Sequence, residues 1–226
     1  MSTPNSVRIW DLPTRIFHWL LAACLVGSFV TVKVGGFWMD YHFLFGYAML
    51  ALLVFRLSWG LLGPRHARFA QFVRGPRTVA AYLRGRIGPS AGHTPLGALS
   101  VLAMLASLSV QAVTGLFAND GIMNEGPLAS YVSGALSDTL TGIHLLNETI
   151  LLALIGLHIL AVAWYAIVRH QRLVRAMITG DKHPGEVPPQ TQPSRDDASL
   201  RMRAALVAAI ATALAWWIAS LGRAGF

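Results

Sequence analysis

The sequence predicts an all-α integral membrane protein, with four transmembrane helices in a bundle and a fifth at the C-terminus. Three observations predict it. Of the 226 residues, 54% are hydrophobic and only 12% are charged, and the mean hydropathy is +0.53, outside the range of a soluble domain. Five apolar stretches approach the roughly 20 residues that cross a bilayer. The Arg and Lys residues crowd into alternate connections. A chain this long makes one compact bundle, with no separate soluble catalytic domain expected.

The first span, residues 16–32, carries no charge. It is not expected to be a cleavable signal peptide, because His18 and Trp19 fall inside it and no small-residue cleavage pattern follows. Residues 41–55 continue past Arg56 to residue 62 as the second span. Within the next connection, 76–87 reads as a short interfacial helix, with Val79, Tyr82, Leu83 and Ile87 on one stripe and Arg77 and Arg84 opposite. Residues 96–118 and 143–168 make the third and fourth spans. Residues 188–194, with three prolines and two glutamines, read as a flexible linker. The fifth span, 204–221, is rich in alanine and tryptophan. The division expected is 1–180 for the bundle, 181–203 for the linker and 204–226 for the last helix. The lone Cys24 excludes an internal disulfide, and without C-x-x-C-H there is no c-type haem attachment. No internal repeat supports an inverted-repeat transporter.

Loop charge sets orientation. The 63–94 connection carries Arg65, Arg68, Arg74, Arg77, Arg84 and Arg86. The 169–203 connection carries Arg169, Arg172, Arg175, Lys182, Arg195, Arg201 and Arg203. By contrast, 32–42 has only Lys33, and 119–141 holds Asp120, Glu125 and Asp138 with no Lys or Arg. The positive-inside rule then places the N-terminus and both basic connections in the cytoplasm, with the C-terminus outside. The net charge of +8 therefore reflects topology against anionic lipid, and no nucleic acid partner is expected.

Histidine spacing is the sharpest signal. His144 and His158 stand fourteen residues apart in one apolar run. That is almost four helical turns, so both project from nearly one face, roughly 21 Å apart. One imidazole then lies towards each surface of a hydrocarbon core about 30 Å thick. His18 starts the first span on the inner side, and His42 starts the second on the outer side. Depth pairs His18 with His158 and His42 with His144. Two stacked pairs of axial ligands suit two haems, which makes the bundle a haem-binding one. Against four histidines matched by depth, the plainer reading as helix-packing histidines is the weaker.

Other residues leave alternatives open. Gly46, one turn after His42, and Gly156, beside His158, would admit a flat macrocycle or simply pack helices. Trp10, Phe17, Trp19, Phe43 and Phe45 could wall a porphyrin or form interfacial belts. Arg15 and Arg56 could neutralise propionates or snorkel to water. Glu148, one turn below His144 and next to Asn147, is either protonated or paired and able to relay a proton, or hydrated near the outer interface. His66, His93, His170 and His183 fall in loops and read as solvated.

Several motifs together resemble the bacterial di-haem b-type cytochromes, which include the cytochrome b subunit of membrane-bound nickel–iron hydrogenases. They are Trp10-Asp11-x-Pro13-x-Arg15-x-Phe17-His18-Trp19, His42-x-x-x-Gly46, Pro95-Leu96-Gly97, Thr114-Gly115-Leu116, Ile143-His144 and Gly156-Leu157-His158. The resemblance covers about residues 7–180. It implies a four-helix bundle with two bis-histidine haems b, ligated by His18, His42, His144 and His158, passing electrons between an outer partner and quinone. The fifth helix departs from that pattern.

The leading expectation is an electron carrier between a periplasmic redox protein (hydrogenase-like or cytochrome c) and the quinone pool, a subunit rather than a self-sufficient enzyme. The alternative is a superoxide or small-reductant:quinone oxidoreductase acting without a partner, which a cationic outer funnel would favour, although Lys33 is the only clearly basic outer residue between the helices. A haem-free metal transporter is the third. The last helix offers no ligand or carboxylate. Its alanines are expected to dock against a partner subunit or a second copy, making a homodimer.

Overall fold

The computed structural model describes residues 6–88 and 90–222. The long helices are α1 (Leu12–Val34), α2 (Met39–Leu62), α5 (Pro95–Gly115), α6 (Gly134–Ile167) and α8 (Ala198–Leu221). Shorter ones are α3 (Phe69–Phe72), α4 (Pro76–Leu83) and α7 (Leu173–Thr179). One two-stranded ribbon pairs β1 (Val7–Arg8) antiparallel with β2 (Asp181–Lys182). All five long helices are long and apolar enough to cross a membrane.

The chain divides into two compact units. The first holds the described residues of Met1–Ile16, with Leu57–Ala103 and Leu154–Ala204. Ile9, Trp10, Ala176 and Val187 form its apolar centre. Asp11, fully buried, caps α1. Its carboxylate accepts from the Thr14 N–H at 3.0 Å, the Thr14 hydroxyl at 2.8 Å and the Trp59 indole at 3.1 Å. His93 lies 4.8 Å from the Trp10 ring and 4.4 Å from Phe72, and His66 reaches the Gln192 carbonyl at 3.0 Å. These two histidines are packed, not solvated as expected. His170 and His183 are exposed.

The segment before α8 is not a loose linker. The Ser194 N–H donates to the Arg8 carbonyl at 2.7 Å, and Gln192 accepts from Arg65. Asp196 accepts from the Leu12 N–H at 3.1 Å, Arg8 at 2.6 Å and Arg201 at 3.1 Å. Prolines shorten the menu of conformations, and these bonds select one.

The second unit holds Phe17–Arg56, Met104–Ala153 and the described residues of Ala205–Phe226. Helix α1 approaches α2 closely at Gly27, where a Cβ would lie 2.4 Å from the Phe45 ring. Asn147 and Ser107, both buried, tie α6 to α5. The Ser107 hydroxyl donates to Asn147 Oδ1 at 3.0 Å, and Asn147 Nδ2 donates to the Ser107 carbonyl at 2.9 Å and to Gln111 Oε1 at 2.6 Å.

One boundary and one packing face differ from expectation. Helix α6 starts at Gly134, nine residues before the apolar run. The Ser133 hydroxyl caps it at the Leu136 N–H, and Thr139 and Thr141 bond back one turn. These polar residues satisfy a helix but hide it from a hydropathy reading. The alanine face of α8 also finds its contacts inside this chain. Ala211, Ala215 and Ala219 are 1–4% exposed, and a Cβ at Gly222 would lie 2.7 Å from Pro127 Cα. Close packing of small residues, expected against a partner, is used internally.

Candidate functional site

His42, in the first turn of α2, and His144, in α6, come together in the second unit. Their ring centres are 6.4 Å apart and their planes cross at 82°. Each ring is held from outside by its Nδ1. That of His42 lies 3.0 Å from the Ser28 carbonyl and 3.1 Å from the Ser28 hydroxyl. That of His144 lies 3.0 Å from the Gln111 carbonyl and 3.3 Å from the Thr114 hydroxyl.

A carbonyl oxygen only accepts, so each Nδ1 carries a proton, and in a neutral ring that tautomer leaves Nε2 without one. Each Nε2 then keeps its lone pair, the form in which histidine binds metal. A main-chain carbonyl on the other nitrogen is the usual support for such a ligand, because it fixes the tautomer and raises basicity.

Glycine makes room on both sides. A Cβ on Gly115 would stand 2.9 Å from His144 Cε1, so a side chain there would displace the ring. At Gly46, one turn along α2 from His42, a Cβ would meet nothing within 4 Å. The space a flat ligand needs beside His42 is open.

The donor set tests what this pair could hold. Among the described residues no three His, Cys, Asp or Glu side chains gather in one place. A bare zinc ion asks for three or four protein ligands. Haem iron, already held by its macrocycle, asks for two. Two neutral imidazoles fit haem.

His18 belongs to the second unit and His158 to the first. His18 sits on α1 with its ring 5.0 Å from that of Trp19, and His158 sits on α6. Glu148 is paired, since Lys33 Nζ lies 2.9 Å from its Oε1 and also 5.1 Å from the Phe29 ring centre. Arg15 bonds the Ile178 carbonyl at 2.5 Å, and Arg56 is 3% exposed, so Arg56 does not snorkel to water. Trp10 and Phe45 are used in packing, against His93 and Gly27.

Sequence reasoning missed Ser28, Ser107 and Gln111, and quoted Thr114 only within a motif without its contact to His144. A signal was there: Ser107, Gln111 and Thr114 recur at helical spacing inside an apolar run, which marks one polar face turned inward.

Five apolar helices define an all-α membrane bundle, and imidazoles from two of them, one from each, come together within it. The family model for prokaryotic cytochrome b561 matches residues 9–180, and the chain belongs to that family. It is thereby a membrane b-type cytochrome of electron transfer, for which haem b is the implied cofactor. No curated protein and no solved structure matches the chain.

Proposed function

We propose that this chain moves electrons across a bacterial inner membrane on two haems b, between a redox protein at the outer face and quinone. His42 and His144 ligate the outer haem, and His18 and His158 the inner one. The observation that carries the reading is the His42–His144 pair, two neutral imidazoles with ring centres 6.4 Å apart and Nδ1 atoms on carbonyls. For His18 and His158 the support is their depth in the sequence, with His158 fourteen residues beyond His144 on one unbroken helix.

A haem held by these histidines would supply one-electron, outer-sphere transfer. The chain does the rest. The Ser28 and Gln111 carbonyls hold the two rings in register and raise their basicity. Gly46 and Gly115 keep side chains out of the way. Lys33 balances Glu148, so the carboxylate one turn from His144 adds no unpaired charge to the apolar surroundings. The basic 63–94 and 169–203 connections favour the cytoplasmic side, with the N-terminus inside and the C-terminus outside. The partner-free superoxide reading finds no support, because Lys33, the cation of the 32–42 turn, is already engaged by Glu148.

The test is haem stoichiometry with ligand variants. Fully loaded protein is expected to carry two low-spin haems b per chain. H42A and H144A should lose one of them, and H18A and H158A the other, giving two spectral classes. One haem in the wild type, or a shared residual spectrum for H18A and H144A, refutes the assignment.

A further inference from the structure

Helix α4 leaves an apolar groove open against the start of α5. Pro76, Val79, Ala80 and Leu83 of α4 line it with Leu99 of α5, and Arg74 stands at its rim just before the helix. Its volume is about 330 Å³. Leu83 is 66% exposed and Leu99 45%, so these walls face outward, largely uncovered by the described residues. The groove is braced from the side. Tyr82, about 100° around α4 from Leu83, meets the Tyr165 hydroxyl at 2.6 Å and fixes α4 to α6. Helix α4 then stops where Gly85 takes φ 69°. This bracing fixes α4 in place beside the unfilled groove.

The position tells what fills the groove. Leu99 lies in the second turn of a membrane-crossing helix, and Arg74 lies in the connection just before it. The 63–94 connection holds six arginines and no carboxylate. The groove therefore meets the bilayer where acyl chains give way to headgroups, on a surface that attracts anions. Its apolar lining suits a stretch of one acyl chain.

We infer that this groove is a binding site for one anionic membrane phospholipid, its acyl chain along Val79, Ala80, Leu83 and Leu99 and its phosphate on the Arg74 guanidinium. Arginine suits the phosphate because its planar fork donates two parallel hydrogen bonds. The bound lipid would anchor α4 to the membrane surface and complete a wall the protein leaves open.

The experiment is lipid retention by the full chain, released from the membrane into detergent and weighed intact. The probes are dioleoyl phosphatidylglycerol and the matched phosphatidylcholine. Wild type is expected to retain one phosphatidylglycerol in preference to phosphatidylcholine. R74Q should weaken phosphatidylglycerol retention about tenfold, as loss of one charge-assisted contact implies, and leave phosphatidylcholine unchanged. V79F and A80W fill the groove and should lower both lipids; V79F, the smaller change, serves if A80W misfolds. R84Q, at the other end of α4, should leave retention as it was. Equal retention by R74Q and wild type overturns the proposal. So do equal losses in R74Q and R84Q, which would mean diffuse charge, and a quinone that displaces the phosphatidylglycerol one for one.

Discussion

His42 and His144 each spend Nδ1 on a main-chain carbonyl, from Ser28 and Gln111, and the seat of His144 depends on the missing side chain at Gly115. The G115A variant therefore tests the seat. Its Cβ would stand 2.9 Å from Cε1 and 3.2 Å from Nδ1, so the ring must shift. We expect a cost of about 1–3 kcal/mol in stability and a changed midpoint potential in one haem alone, read by a redox titration that resolves the two. Potentials that move together, or not at all, would show that Gly115 only packs. That His42 and His144 would lie close was legible in the sequence, because the spacing of histidines along apolar runs can be read directly. Their carbonyl partners were not, because every residue offers the same carbonyl and only the fold selects Ser28 and Gln111. Asn147 stood out as polar, but its three bonds to Ser107 and Gln111 depend on α5 and α6 meeting in one register.

Among the elements, the most informative departure is the segment before α8. Proline and glutamine suggested slack, yet Asp196 gathers Arg8, Arg201 and the Leu12 N–H at the start of α1. Burial pushes its carboxyl up, but the Arg201 hydrogen bond, the Leu12 N–H and the Arg8 charge outweigh this and hold it below its ordinary value. The folded state thus binds the proton less readily than the unfolded chain, whose carboxyl titrates near pH 3.9. The stabilisation is full above that pH and is lost as pH falls through the lower, folded value. D196A is expected to cost about 1 kcal/mol near neutrality, because the arginines it leaves are partly solvated or paired elsewhere, and to flatten the acid limb of a thermal-melting profile. An unchanged acid limb would assign that limb to other carboxylates. Helix α8 follows the same logic. Its buried Ala211, Ala215 and Ala219 lead us to expect that truncation after Gly185 lowers the melting temperature, a loss that added partner could not restore if the contacts are internal. The five spans were legible from hydropathy, whereas the polar first turns of α6 were not, because caps and back-bonded threonines leave no apolar trace.

For the whole molecule, composition and loop charge were enough to establish a helical membrane bundle, since the bilayer leaves few alternatives for such a chain. What they could not show is how much of α6 stands clear of the apolar region. At 34 residues it runs about 51 Å, well beyond a hydrocarbon core of about 30 Å. Because this rod is unbroken, it acts as a ruler carrying one ligand of each proposed pair at fixed phase. Adding a single residue between His144 and His158 would turn one imidazole about 100° against the other, and such a variant is expected to retain one haem of the two. Two haems in that variant would mean that the helix absorbs the insertion in a local bulge. Outside α6, loops can gain or lose residues without altering this phase. Between the two histidines the reading frame of the helix is itself part of the site, so length variation in this protein is expected to collect in its connections and to be absent from those thirteen intervening positions.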